Sequence, residues 1–305
     1  MGLGLIFPGQ GSQQVGMGGD FLANHAVAKQ TFEEANDALG FDLRKLCQEG
    51  PEDELTLTFN AQPAILTVST IAYRLLSDRA EVKPIAMAGH SLGEYSALVA
   101  AGALPFAEAV RIVNQRGKFM QEATPVGVGA MAAILGMEAA ELEQLCQDEA
   151  QGEVVAPANY NTPGQIVISG DSAAVLRVLE KCKGKQLPVS APFHSSLMAP
   201  AAEQMKAVLE GANFSNAISP ICTNTDNSFL TEASAFAANL VRQITSPVRW
   251  DTGVQAMAAK GIDQFVELGH GKVLAGMNKR IDKALATQNI FDENSLGETV
   301  KACFE

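Results

Sequence analysis

Six consecutive residues, Gly89-His90-Ser91-Leu92-Gly93-Glu94, have the types and spacing of a nucleophile elbow. A serine hydroxyl attacks a carbonyl carbon only when a strained turn exposes it beside a general base. Glycine at 89 and 93 fits that demand, because a side chain at either position would collide across the turn. The apolar run 84–88 precedes the turn and a helix-like segment, 95–102, follows it. Strand, tight turn and helix form the setting in which this spacing carries chemical meaning; without it, G-x-S-x-G is an ordinary glycine-rich turn. A helix starting just after Ser91 aims its N–H groups at the oxygen that gains charge during attack.

The base has four candidates, since the chain holds four histidines. His25 lies near an expected helix start. His90 is inside the elbow, where it packs more readily than it reaches its own neighbour. His270 sits in the glycine turn Gly269-His270-Gly271, either as a loop residue or as a pocket lining. His194, in Pro192-Phe193-His194-Ser195, falls at a proline-broken junction between two expected modules, where clefts form. Elimination selects His194. No carboxylate between Ser91 and His194 stands out as a third triad member. Glu94 belongs to the elbow, Glu108 and Glu122 to a helix, and Asp148 and Asp171 to the insertion described below. A base oriented by a backbone carbonyl fits better.

These groups must be positioned by strands that end near one another. Residues 3–7 read as a buried first strand, followed by the loop Pro8-Gly9-Gln10-Gly11-Ser12-Gln13-Gln14. That loop is either a flexible turn or a source of oxyanion-binding N–H groups, as loops at carboxyl ends of strands can be. The periodicity predicts a helix over 25–39, short pieces over 41–47, and a helix from residue 60 with Pro63 in its first turn. A helix over 105–120 carries Arg111, Arg116 and Lys118, readable as a solvated face or, at Arg116, as a substrate contact. Residues 127–191 follow the order β-α-β-β-α-β of a ferredoxin-like unit. We therefore expect an α/β protein: a large α/β-hydrolase-like domain with a parallel sheet (1–126 and 192–305) and an inserted small ferredoxin-like domain (127–191). Beyond the insertion, a helix over 195–209, a strand over 218–223, helices over 236–244 and 251–259, a strand over 262–267 and a helix over 272–283 are expected. The tail from residue 287 reads as polar and partly loose.

Composition narrows the partners. The 305 residues are 47% hydrophobic and 18% charged, in the globular range. A formal charge of -12 argues against nucleic-acid binding, and any anionic partner needs a local basic patch. The candidates for that patch are Lys181, Lys183, Lys185, Lys279 and Arg280. Five scattered cysteines without a C-x-x-C pair favour neither a disulfide framework nor a zinc site. No stretch reads as a secretion signal or membrane span, so a cytoplasmic protein is expected.

Several segments, taken in order, resemble the malonyl-CoA–acyl carrier protein transacylases, the acyltransferases of bacterial fatty-acid synthesis. They are Phe7-Pro8-Gly9-Gln10-Gly11-Ser12-Gln13, Gln62-Pro63-Ala64, the elbow continued through Leu98, Gln115-Arg116-Gly117, 159–165, Pro192-Phe193-His194 and Glu267-Leu268-Gly269 with Lys272-Val273-Leu274. The resemblance implies Ser91 as nucleophile and His194 as base, oriented by the main-chain carbonyl of Gln243. It implies an oxyanion hole from the N–H groups of Gln10 and Leu92, and a grip on the malonyl carboxylate by Arg116. It further implies malonyl-CoA and the phosphopantetheine arm of acyl carrier protein as partners, no metal or bound cofactor, and a monomer. Similar domains serve polyketide systems, where Phe before the histidine goes with malonyl and Ser with methylmalonyl; Phe193 holds that position here. A serine thioesterase or esterase shares the elbow and remains the rival chemistry. His270 departs from the Gly-Pro-Gly expected after Glu267-Leu268.

Overall fold

The computed structural model describes residues 2–125, 127–189 and 191–305; Val126 and Ser190, at the expected seams of the insertion, lie outside the described residues. In chain order the strands are β1 (Leu3–Phe7), β2 (Ala86–Gly89), β3 (Gly129–Leu135), β4 (Val155–Thr162), β5 (Gln165–Asp171) and β6 (Gly184–Gln186). They continue with β7 (Ile221–Cys222), β8 (Phe229–Leu230), β9 (Val248–Arg249), β10 (Gln264–Leu268) and β11 (Ala286–Ile290).

One sheet has the order β11-β10-β1-β2-β7-β8, parallel throughout except for the β7–β8 edge. Its central strands are apolar on both faces because helices cover both. Leu5 and Phe7 of β1 pack with the helices Thr58–Arg79 and Gly93–Ala100. Ile6, pointing the other way, packs with Trp250, Met257 and Phe265. The carboxyl ends of β1, β2 and β7 lead directly into Gln10, Ser91 and Asn224, which places the chemistry on one edge.

The second sheet runs β6-β3-β5-β4-β9. Its first four strands are antiparallel and, with the helices Ala139–Ala150 and Ser172–Lys181, follow the expected β-α-β-β-α-β order. The fifth strand was not expected. β9 pairs in parallel with β4, Asn159 against Val248 and Tyr160 against Arg249, so a segment far along the chain extends the small sheet. Arg249 also lies over the Tyr160 ring, 4.9 Å from its centroid.

Four expectations need correction. The strand expected over 218–223 shrinks to β7. The helix expected from residue 195 opens with a 3₁₀ turn, Ser196–Met198, before the α-helix Ala199–Glu210. Pro63 lies inside the helix Thr58–Arg79 rather than in its first turn. The carbonyl its missing N–H would have bonded, Phe59 O, accepts instead from Asn114 Nδ2 at 2.7 Å. The tail is ordered as β11 and the helix Glu293–Cys303. A reciprocal Asp292–Ser295 capping box starts that helix, and Leu296 buries its inner face.

Candidate active site

The elbow is as tight as its glycines imply. A Cβ on Gly89 would stand 1.8 Å from the Gly93 carbonyl carbon, and one on Gly93 would stand 2.1 Å from Phe7 O. Ser91 adopts φ 50, a left-handed conformation that is costly for a residue with a side chain. The strain is held from both ends: Ser91 N–H donates to Asn224 Oδ1 at 2.6 Å, and Ser91 O accepts from Gln243 Nε2 at 3.0 Å.

His194 is also left-handed, at φ 58, and is buried. Ser91 Oγ lies 2.8 Å from His194 Nε2. On the far side of the ring, Nδ1 lies 3.0 Å from Gln243 O and 3.1 Å from Ser246 O. Gln243 lies in the last turn of its helix, Ala233–Thr245, where its carbonyl takes only the capping Ser246 N–H and keeps a lone pair for the ring. Two carbonyls can only accept, so Nδ1 carries the proton and Nε2 presents its lone pair to Ser91. Burial, and then the Arg116 cation, pull the imidazole pKa down to about 3. The imidazole is therefore neutral across the physiological range.

Arg116 comes from the middle of the helix Phe106–Glu122 and is 1% exposed. It occupies no solvated face. Its Nη1 donates to Gln62 Oε1 at 3.0 Å; its Nη2 donates to Gln243 Oε1 at 3.0 Å and to Ser91 Oγ at 3.2 Å. The guanidinium lies over Tyr95, 5.5 Å from the ring centroid. Burial lowers its pKa from the ordinary value, partly offset by Tyr95 and Glu94. Among the described residues no carboxylate forms an ion pair with it. A buried cation whose hydrogen-bond acceptors are all neutral keeps an unmatched charge that an anion would neutralise.

These groups line one cleft of about 1020 Å³ between the two sheets, with Gln10, Phe193, Met131 and Leu187. The loop bearing Gln10 lies against the elbow, since a Cβ on Gly9 would stand 2.3 Å from His90 O. Among the described residues neither the Gln10 nor the Leu92 N–H finds an acceptor within the chain. His90 turns away from Ser91 and bonds Asn161 Oδ1 through Nε2 at 2.8 Å, its ring 5.7 Å from that of Trp250. His270 is 3.3 Å from Gln14 and edge-on to Phe291, outside the cleft lining. Of the five cations considered for a basic rim, Lys185 alone lines the cleft; Lys181 pairs with Glu149 and Arg280 meets Gln165.

Sequence reasoning missed Gln62, Asn224, Asn239 and the side chain of Gln243, and passed over Glu94 as part of the elbow. Glu94 is buried and accepts from Asn224 N–H at 3.1 Å, Gln243 Nε2 at 2.9 Å and Asn239 Nδ2 at 2.5 Å. The adjacency of Gln62 to Pro63 and of Glu94 to the elbow were the available signals. No local pattern marks Asn224 or Asn239.

Comparison with known proteins agrees with this geometry. The acyl transferase domain family matches residues 5–301. The malonyl CoA-acyl carrier protein transacylase of Escherichia coli (strain K12) is 45% identical over 302 residues, covering 97% of this chain and 98% of that protein. The solved malonyl CoA-acyl carrier protein transacylase of Coxiella burnetii has TM-score 0.98 at 40% identity, covering 100% of this chain and 98% of its own. A malonyl-transacylase solved with its type II PKS acyl-carrier protein has TM-score 0.97 at 42% identity, covering 99% of this chain and 100% of its own. A serine, a neutral histidine and a buried arginine thus sit in a chain that belongs to the acyl transferase family, among the malonyl CoA-acyl carrier protein transacylases.

Proposed function

We propose that the chain transfers a malonyl group from malonyl-CoA to the phosphopantetheine thiol of acyl carrier protein, in fatty-acid synthesis, through a malonyl ester on Ser91. The observation that carries this is the buried Arg116 guanidinium, without a carboxylate ion-pair partner among the described residues and 3.2 Å from Ser91 Oγ. It matches an acyl group that ends in a carboxylate a short distance from its thioester. A polyketide setting uses the same chemistry, and the relative solved with a type II PKS carrier protein keeps it as the second reading. Coenzyme A and carrier-protein substrates suit the cytoplasm; no helix among the described residues is long and apolar enough to cross a membrane.

His194 Nε2 takes the Ser91 proton as Oγ bonds the thioester carbon. The resulting oxyanion is received by the N–H groups of Gln10 and Leu92, the latter at the head of the helix Gly93–Ala100. Collapse breaks the carbon–sulfur bond, and His194 returns its proton to the departing CoA sulfur. The carrier thiol then gives its proton to Nε2, attacks the ester carbon, and releases Ser91 Oγ, which recovers the proton. Arg116 holds the carboxylate throughout with its planar fork. The body (1–126 and 192–305) and the insertion (127–191) act as two units closing over this cleft. The separate apolar cluster of Ile134, Leu142, Ile168 and Val175 supports that division. Initial rates over both substrates test transfer against hydrolysis. Parallel-line kinetics with holo carrier protein, and slow malonate release without it, are expected; rapid release to water points to a thioesterase.

Two further outcomes follow from the site. Because His194 is neutral well below pH 6.5, kcat/KM for malonyl-CoA is expected to stay level between about pH 8 and pH 5. A fall centred near pH 6.5 would mean that the imidazole is not depressed. Phe193, 7% exposed and lining the cleft, fills space that an α-methyl would need. A methyl in a tight site is worth about 1–3 kcal/mol, so Phe193→Ser is expected to relax malonyl-over-methylmalonyl preference roughly tens-fold. An unchanged ratio removes Phe193 from the α-carbon's surroundings.

A further inference from the structure

Both restraints on the strained Ser91 end on one buried carboxylate. Asn224, whose Oδ1 accepts from Ser91 N–H and whose Nδ2 donates to Gly89 O at 2.7 Å, offers its own N–H to Glu94 Oε2. Gln243, whose Nε2 donates to Ser91 O, donates from the same Nε2 to Glu94 Oε2. Asn239 completes the set from Nδ2 to Glu94 Oε1, and its own Oδ1 has no partner among the described residues. Among the described residues, every hydrogen-bond partner of the Glu94 carboxylate is therefore a donor.

That one-sided environment fixes more than the elbow. An amide side chain has one donor end and one acceptor end. With Gln243 Nε2 committed to Glu94 and Ser91 O, its Oε1 must face Arg116 Nη2, as it does at 3.0 Å. If the amide turned over, its NH₂ would confront the guanidinium, donor against donor, in a site without water's screening.

We propose that Glu94 is a positioning residue for acyl selection: through the Gln243 amide it sets the Arg116 fork in the orientation that receives the substrate carboxylate. Glu94 itself touches no substrate. The inference rests on Arg116 gripping the malonyl carboxylate as described above, and it adds a determinant of malonyl choice two residues into the elbow helix. Burial pushes the Glu94 carboxyl pKa up, while Gln243, Asn224, Asn239 and the Arg116 charge oppose that rise. The positioning role draws only on the acceptor atoms of Glu94.

The test compares kcat/KM for malonyl-CoA and acetyl-CoA, with holo carrier protein as acceptor, in the parent and three variants. A purely structural defect lowers both substrates alike; a lost grip on the carboxylate lowers malonyl selectively. Glu94→Met, which has no acceptor, is expected to cut the malonyl-to-acetyl ratio on the order of 10- to 100-fold. Glu94→Gln is expected to keep the ratio within a few-fold of the parent, about one weak hydrogen bond. Its amide oxygen can still accept from Asn224 and Gln243, while Asn239 turns its unpartnered Oδ1 to the new NH₂. Gln243→Met cuts the relay while leaving the main-chain carbonyl on His194, and is expected to cut the ratio by the same roughly 10- to 100-fold, a readout that stands whether or not Glu94→Met folds. An unchanged ratio in Glu94→Met or Gln243→Met overturns the proposal, as does a Glu94→Gln ratio as low as that of Glu94→Met. Unfolding of both methionine variants also overturns it, leaving Glu94 a structural role only. If the parent shows no malonyl preference, it is the proposed function that fails.

Discussion

Ser91→Ala is expected to lose malonyl transfer by on the order of 10⁴-fold or more while remaining folded. The size of the effect comes from the loss of the covalent route: His194 and the oxyanion donors then have only water or the acceptor thiol to activate. Folding should survive because Arg116 Nη2 keeps its bond to Gln243 Oε1, and the His194 ring stays held through Nδ1 where it lines the cleft. Alanine also retains the backbone N–H and carbonyl that Asn224 and Gln243 hold. Rates with malonyl-CoA and carrier protein, together with a thermal melt, decide the matter. Transfer within about tenfold of the parent would mean a different nucleophile, since general-base assistance to a direct reaction supplies only about 10²–10⁴-fold.

Arg116→Ala is expected to lower kcat/KM for malonyl-CoA by about 10²–10³-fold, the cost of deleting one partner of a buried ion pair. It should simultaneously improve acetyl-CoA relative to malonyl-CoA. In the parent, an acetyl group leaves the guanidinium desolvated and unmatched; in the variant that penalty is gone. The same change strands Gln62 Oε1 and Gln243 Oε1, so some loss of stability, about 1–3 kcal/mol per unpaired acceptor, should accompany it. The ratio of the two acyl substrates separates recognition from stability. A variant that keeps its malonyl preference would place the carboxylate elsewhere in the cleft.

The elbow was legible because its constraint is local and steric. The clash that Gly89 and Gly93 avoid arises within five residues and against the neighbouring β1, and it leaves a fixed spacing in the chain. His194 could be reached by elimination among four histidines. Arg116 could not be separated from a solvated helix face, because Arg111 and Lys118 share its helix; burial, not spacing, makes the difference. The polar supports of the site were illegible for another reason. Asn224 and Gln243 lie 130 and 149 residues from Glu94, and a lone amide carries no periodicity. The two-residue strands β7, β8 and β9 are too short to show alternation. The C-terminal segment misled because β11 is an edge strand with polar residues, while the helix after it is fixed by one capping box and a narrow buried stripe at Leu296 and Thr299.

The covalent intermediate is the centre of the account, and mass spectrometry of the intact protein after brief exposure to malonyl-CoA measures it directly. One malonyl group per chain is expected, located on Ser91 by peptide mapping and discharged on adding holo acyl carrier protein. No adduct, or an adduct that persists in Ser91→Ala, would contradict it.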